Sequence, residues 1–475
     1  MSSMHLLLAC IFFTSVLCIR QPILSVTSKA DPIYTPHWSS LDARPLPSWY
    51  DEAKVGIFVH WGVYSVPAYA CQDGLAEWYW WFKQQNYLGC QTAWHNTTYG
   101  PDFSYTDFAP MFKAQLFSAD RWAKLFKKSG AKYVVFTTKH HEGWCNFPSA
   151  EAWNWNSVTN GPRKDLTRLI VNAVRKQGLR MGLYHSLFEW FHPLYLKDKA
   201  NNFTTQVYVD EILQPQLHQI ANDYAPDLIW ADGDWEANDT YWKSKEFLAW
   251  LYNEAPNKKE VIVNDRWGAN VESKHGGYWT GDDRWDPNSI QKHKWEDCFT
   301  VDAGSWGYNR NATFSNYLSI HTMIDLVVGG VAKNGNSLIN VGPTADGLIL
   351  PIFEERLTQL GEWLGVNGEA IYGTRPWVEP KDVDVTPGKN ITVWYTTKKD
   401  ALYATVMGWP YDNIVKLSLP VPTQFPEVQL LGYNGTLGFN YNEQGLNIRM
   451  PSVPSQLASQ WAWSIKLIGF KHKSM

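Results

Sequence analysis

The stretch DLIWADGDWE, Asp227 to Glu236, sets Asp232, Asp234 and Glu236 directly behind a short apolar run, with Trp230 and Trp235 close by. An acid at the end of a buried strand is costly to fold around unless it is paired or used. Side chains alternate along a strand, so Asp232 projects at the strand end while Asp234 and Glu236 belong to the loop that follows. Such a triplet can cap the next helix or pair with arginine. A calcium loop is excluded by the missing EF-hand spacing and twelfth-position Glu. The chemistry that suits a rigid strand-end carboxylate is glycoside hydrolysis. One ionised carboxylate attacks the anomeric carbon and a protonated partner donates to the leaving oxygen, about 5–5.5 Å away when configuration is retained. Partner candidates lie downstream: Asp282 and Asp283 in GDDRWD, and Glu296 in HKWEDC, all read as loop residues after a fifth strand.

Histidines fall at similar places. KHHEGW (139–144) brings His140 and His141 just behind an apolar run, and FVHWG (58–62) does the same for His60. Adjacent histidines rarely both reach one ion, and no H-E-x-x-H helix accompanies them. Hydrogen bonding to substrate hydroxyls is the simpler role, with a metal-dependent hydrolase built on His60, His140 and His141 as the competing one. EWYWW (77–81) adds Glu77, Trp78 and an aromatic cluster suited to core packing or to a sugar face. The chain holds 27 Trp and 24 Tyr, and such rings line sugar sites as readily as they fill cores.

The elements that must position these residues are legible. Strand-like runs occur at 55–61, 133–139, 180–186, 227–233, 261–266 and 337–343. Each is apolar nearly throughout, as expected of strands covered on both faces. Helical patterns separate them. SADRWAKLFKKSG sets Trp122, Leu125 and Phe126 on one face, with Ser118 as N-cap and Gly130 as the stop. DLTRLIVNAVRKQG repeats Leu166, Leu169, Ile170, Ala173 and Val174 at helical spacing, between Asp165 and Gly178. Strands alternating with helices imply a parallel sheet. In a (β/α)8 TIM barrel the strand ends carrying His60, His140, His141, Asp232 and Arg266 share one rim. A doubly wound sheet competes, but no Gly-rich phosphate loop supports it. From residue 376 the texture changes to short strands between Pro, Gly and Asn turns, which predicts an antiparallel β-sandwich over 376–475 behind a catalytic region over 33–375.

The 475 residues fit one barrel plus one smaller domain. A net charge of −4 without a Lys/Arg run argues against nucleic acid as a partner. The apolar run Leu6–Cys18 is too short to span a bilayer and reads as an export signal over 1–18, so no membrane anchor is expected in the mature chain. Six Asn-X-Ser/Thr acceptors, at Asn96, Asn202, Asn238, Asn311, Asn390 and Asn434, agree with export. Four cysteines remain beyond the signal: Cys71, Cys90, Cys145 and Cys298. They allow three pairings, between which spacing does not decide, and the local pair Cys71–Cys90 is the expectation.

Taken together, WYDEAKVGIFVHWGVYSVP, EWYWW, AKYVVFTTKHHEGWCNFPS, GLYHSLFEW, PDLIWADGDWE, VNDRWG, HKWEDC, NSLINVGPTADG and GEWLGVNGEAIYGT resemble the retaining α-L-fucosidases of glycoside hydrolase family 29, of the animal lysosomal or secreted kind. The resemblance runs from about residue 33 to 470 and implies a (β/α)8-like barrel followed by a β-sandwich. It also implies Asp232 as nucleophile, and fucose contacts from His60, Glu77, Trp78, His140, His141, Tyr184, Trp230 and Arg266. The acid/base varies within the family. Asp283 is the first choice, since the turn at Gly276 and Gly277 could bring it over the pocket, and Glu296 is the alternative. The family signature around PNSIQKHKWEDC ends in Cys298, and Ile290 stands where Leu is expected. A disulfide or buried thiol is expected of Cys298 rather than nucleophilic attack. No cofactor or metal is implied. The expected partners are fucosylated glycans, with homo-oligomers and a secreted or lysosomal destination left open. A secreted fucose-binding relative without catalysis is the alternative function.

Overall fold

The computed structural model describes residues 33–474 apart from 73, 88, 385–389 and 453–458. The expected export signal over 1–18 lies outside the described residues. Seven parallel strands form one curled sheet: β1 (Val55–Val59), β2 (Tyr133–Lys139), β3 (Arg180–Ser186), β4 (Leu228–Asp232), β5 (Ile262–Val263), β6 (Trp295–Thr300) and β7 (Gly335–Val341). They pair in the order β5-β4-β3-β2-β1-β7-β6. The gap between the edge strands β5 and β6 is crossed by the segment 277–279. The Gly277 N–H donates to Val263 O at 3.1 Å, the Trp279 N–H donates to Lys294 O at 2.9 Å, and the Glu296 N–H donates to Trp279 O at 2.8 Å. A TIM-like barrel results, with an irregular segment in the place of an eighth strand.

Alternation sorts the side chains. Phe58, Tyr133, Val135, Tyr184, Leu228, Trp230, Ile262, Cys298 and Leu338 pack inside the barrel, where Tyr278 of the bridging segment joins them. Their neighbours Ile57, Val134, Phe136, Ile229, Val263 and Ile339 belong to the outer layer, under the helices. Both faces are therefore buried, which is why the strands read as continuous apolar runs.

Six helices of the barrel follow its expected pattern: α1 (Ala119–Lys128), α2 (Leu166–Lys176), α3 (Gln214–Tyr224), α4 (Ser244–Asn253), α5 (Ile320–Ala332) and α6 (Pro351–Asn367). Ser118 caps α1, its hydroxyl accepting the Arg121 N–H at 3.3 Å, and Asp165 caps α2 through the Arg168 N–H at 2.8 Å. Such caps contribute about 1 kcal/mol each. Leu169, expected in the core face of α2, is exposed instead. Ile170, Ala173 and Val174 carry the buried stripe, and Leu169 lies just past its edge.

Beyond the barrel, β8 (Arg375–Asp384), β9 (Ile391–Lys398), β10 (Ala401–Val406), β11 (Ile414–Leu417), β12 (Pro420–Leu430), β13 (Phe439–Asn442), β14 (Gly445–Arg449) and β15 (Trp463–His472) form two antiparallel sheets. Their orders are β12-β15-β10-β9-β8 and β11-β14-β13. Alternate residues of both, including Val393, Tyr395, Leu402, Ala404, Leu446, Ile448, Ile465 and Leu467, enclose a separate core. This is the expected sandwich. It seats on the barrel through α5, where the ring of Trp394 on β9 lies over Gly329 and donates its Nε1–H to Asp325 Oδ1 at 2.7 Å.

One element corrects the sequence reading. Residues 295–300, WEDCFT, expected in a loop, form β6. Glu296 is thus a strand residue with no solvent exposure, not a loop acid.

Candidate active site

Residues 228, 230 and 232 share the inner face of β4, so Leu228 and Trp230 fill the barrel and Asp232 rises above them at the strand end. Gly233 follows with φ +73°, and a Cβ there would meet Ser186 Oγ and the Phe188 ring at 2.9 and 3.0 Å. Glycine lets the chain turn away while leaving Asp232 aimed inward. The other two acids of the opening stretch hold structure. Asp234 Oδ2 accepts the Gly268 N–H at 3.1 Å, and Glu236 pairs with Lys199 at 2.7 Å and accepts the Tyr195 hydroxyl. Burial raises Asp234 to about 7.

Asp232 lies in an open cavity of about 460 Å³ at the strand ends. His60, Glu77, Trp78, His140, His141, Tyr184, Trp230, Arg266 and Asp283 line the same cavity. The Tyr184 hydroxyl donates to Asp232 Oδ2 at 2.6 Å, and His141 Nε2 stands 3.5 Å from the same oxygen. Arg266 holds the other side. Its Nη1 reaches Asp232 Oδ1 at 3.1 Å and its Nη2 reaches Asp283 Oδ1 at 2.8 Å. The two carboxylates therefore sit one guanidinium's width apart across the cavity. Nε of Arg266 donates to Thr280 Oγ1 at 3.0 Å, and the guanidinium lies 4.8 Å over the Trp230 ring, so the fork is fixed on every side.

The histidines resolve into defined roles. His60 Nδ1 is 2.8 Å from Asn340 Oδ1. The amide nitrogen of Asn340 already donates to Thr300 Oγ1 and Trp306 O, so its oxygen must accept and His60 must donate from Nδ1. Burial and then His140 push His60 down to about 3, so the ring stays neutral and Nε2 is left as an acceptor. His140 Nδ1 faces Glu142 Oε2 at 3.2 Å, which leaves its Nε2 in the same state when the ring is neutral. Glu77 adds a third acceptor. Its Oε2 takes the Ser305 hydroxyl and the Gly307 N–H, both at 2.9 Å, while Oε1 is buried without a partner. Burial raises Glu77 above the usual carboxylate range, and the Gly307 N–H opposes the shift. A buried oxygen without a donor costs about 1–3 kcal/mol. A sugar hydroxyl entering the cavity would supply that donor. Phe58, Leu75, Trp235 and Trp306 complete the lining as apolar surface.

Asp283 reaches the rim through the turn foreseen at Gly276 and Gly277. Gly276 has φ +105° and packs on the backbone of Asn264, where a Cβ would stand 2.6 Å from Asn264 O. The chain then runs alongside β5 and delivers Asp283, 44% exposed, over the guanidinium. Its neighbour Asp282 is exposed and outside the lining. Glu296 is elsewhere. It lies inside the barrel beneath Trp230, its Oε2 accepting from Tyr50 at 2.9 Å and Tyr133 at 2.6 Å, its Oε1 from Trp230 Nε1 at 3.0 Å. It is not part of the cavity lining. Cys298 is a buried free thiol, raised by burial and by Asp283, and Cys71 is bonded to Cys90.

Phe58, Leu75, Trp235 and Trp306 line the pocket without having been legible in the sequence as lining residues. Phe58 was within reach, since it shares a strand face with His60 two residues on. Trp235 stood in the opening stretch. Trp306 follows β6, which was not recognised, and Leu75 lies in a loop with no local signal.

The chain matches two family models, "Alpha-L-fucosidase" over residues 23–369 and "Alpha-L-fucosidase C-terminal domain" over residues 388–468. Among curated relatives, the tissue alpha-L-fucosidase of Bos taurus is 50% identical over 443 residues, covering 93% of this chain and 92% of that one. The tissue alpha-L-fucosidase of Homo sapiens is 48% identical over 440 residues, covering 92% of each. The crystal structure of Thermotoga maritima alpha-fucosidase is 32% identical with a TM-score of 0.78, and the match covers 92% of this chain and all of that one. A TIM-like barrel, a trailing β-sandwich and both family models agree: the chain belongs to the alpha-L-fucosidase family.

Proposed function

We propose that this chain is a retaining exo-α-L-fucosidase in which Asp232 is the nucleophile and Asp283 the acid/base. The observation that carries the assignment of roles is the single guanidinium of Arg266 held between the two carboxylates. Two carboxylates at one cavity suit double displacement, in which one attacks C1 and the other gives and takes the proton. In the first step Asp232 attacks C1 of the bound fucoside and Asp283 gives its proton to the departing oxygen. In the second step Asp283 takes a proton from water, which attacks C1 and frees Asp232. L-Fucose leaves with its α configuration retained.

Each remaining residue has work in this scheme. Arg266 and the Tyr184 hydroxyl hold the attacking oxygens in place, so little reorganisation remains at the transition state. Glu77 Oε1 and the acceptor nitrogens of His60 and His140 take the ring hydroxyls. Trp230, Phe58 and Trp306 form the apolar floor and wall on which the C5 methyl group would rest. Asp283, on an exposed loop, must turn from Arg266 toward the glycosidic oxygen when substrate enters. A non-catalytic fucose-binding reading has no observation in its favour.

We further place the protein in the secretory pathway. Curated relatives are named tissue and plasma alpha-L-fucosidases, all six glycosylation acceptors are exposed, and no described helix is long and apolar enough to cross a membrane. The test is turnover of a nitrophenyl α-L-fucoside, with the first-formed fucose read by proton NMR. The α anomer is expected. Appearance of the β anomer first, or no release of nitrophenol, overturns the proposal.

A further inference from the structure

A second concavity stands behind the wall of the catalytic pocket. Trp80, Trp155 and Phe191 line an open groove of about 1210 Å³, more than twice the pocket's 460 Å³, with Trp153, Asn154 and Glu151 at its edge. The partition between the two is thin, and its residues face alternately. Trp78 lines the pocket and Trp80 the groove; His140 and His141 line the pocket and Glu142 the groove. Trp190 packs against Trp78 and His141, at 4.8 and 5.3 Å between ring centres, while its neighbours Glu189 and Phe191 face the groove.

The loop that carries the outer edge is firmly held. Asn156 donates to Ser149 O and Ala152 O and accepts the N–H groups of Val158 and Thr159. The Trp155 indole donates to Glu142 O at 3.0 Å. Yet Trp153, at the tip of this braced loop, is 88% exposed and makes no ring contact among the described residues. An indole held in water on a rigid loop, opposite other aromatic faces and beside a carboxylate and an amide, has the chemistry of a sugar platform. Ring faces stack on pyranose C–H surfaces, and Glu151 and Asn154 offer hydrogen bonds to hydroxyls.

We propose that this groove binds neutral sugar residues of the glycan from which fucose is removed, as a subsite for the part of the substrate beyond the scissile bond. This rests on the fucosidase reading, and adjacency to the pocket is its reason: the short segments 78–80 and 140–142 line both cavities. Glu142 is paired with His140 and Glu189 with Lys139, while among the described residues Glu151 accepts only the Ser149 hydroxyl from a side chain. Its charge faces the groove and disfavours acidic sugars.

Trp153→Ala tests this, since an exposed side chain can be removed without loss of the fold. KM for a neutral fucosylated oligosaccharide is expected to rise about five- to tenfold, with kcat unchanged. Turnover of nitrophenyl α-L-fucoside, which has no sugar to place in the groove, is expected to stay at the wild-type value. Trp153→Phe should recover most of the oligosaccharide KM. An unchanged oligosaccharide KM in Trp153→Ala, or an equal loss on both substrates, overturns the subsite. Wild-type protein that turns over neither substrate overturns the fucosidase reading itself.

Discussion

Asp283 and Glu296 both entered as candidates for the proton donor, and their surroundings differ in kind. Asp283 is half in solvent beside Arg266 and Asp232. Glu296 is enclosed, its two oxygens taken by Tyr50, Tyr133 and Trp230. Asp283→Asn is therefore expected to lower kcat/KM by about 10²–10⁴ for fucosides whose leaving group needs a proton. A dinitrophenyl fucoside, whose leaving group needs none, should be nearly spared. Glu296→Gln should keep the wild-type dependence on leaving group and instead lose about 2–3 kcal/mol of stability, because an amide N–H would face a donor. A leaving-group series with both variants, alongside their thermal melts, reads the two effects separately, and the reverse pattern would reassign the acid. Sequence showed which acid of DLIWADGDWE points inward, because alternation fixes that. It did not show where Glu296 lies, since the three donors around it come from residues 50, 133 and 230, far apart in the chain.

At the scale of elements, the strands that were legible are those whose two faces are both apolar. β6 was not, because WEDCFT places Glu296 inside the barrel among Tyr50, Tyr133 and Trp230 and buries Asp297 outside it, where burial raises the carboxyl to about 8 and Oδ1 has no hydrogen-bond partner among the described residues. β8 was missed for a related reason: it runs mostly exposed along the sandwich edge, with Pro376 and Pro380 in it. Two local devices hold the site's loops. Gly276 must adopt a positive φ against the Asn264 backbone. Gly276→Ala is expected to cost about 2 kcal/mol and to lower kcat by displacing Asp283, which melting and kinetics on the purified variant would show. The Cys71–Cys90 bridge closes a loop that carries Leu75, Glu77 and Trp78, with a sequence separation of 19. Replacing both cysteines by serine is expected to cost about 3 kcal/mol and to raise KM with little change in kcat. A normal KM in that variant would mean the pocket wall is held without the bridge.

For the whole molecule, the buried acids and histidines set how stability varies with pH. Burial raises Asp234 to about 7 and Asp297 to about 8, so the folded state binds their protons more tightly than the unfolded chain does. Their contribution is complete below the unfolded carboxylate range and is lost as pH rises through those values. The histidines act in the opposite direction, and below about pH 6.5 they oppose the acids. His60 is pushed down to about 3, and burial also depresses His141 and His185, so they cost stability as pH falls below roughly 6.5, where the unfolded chain takes up their protons. Above about pH 6.5 the histidines no longer oppose the two acids, and the melting temperature is expected to fall from there to pH 8. Asp234→Asn with Asp297→Asn should flatten that slope, and an undiminished slope in the double variant would assign it to other groups.

The most direct test of the account is covalent. Incubation with 2-deoxy-2-fluoro-fucosyl fluoride, followed by proteolysis and mass spectrometry, should find one added fluorofucosyl group on the peptide containing DLIWADGDWE, with fragmentation placing it on Asp232. A label on any other side chain, or no label on protein that still releases fucose, would contradict it.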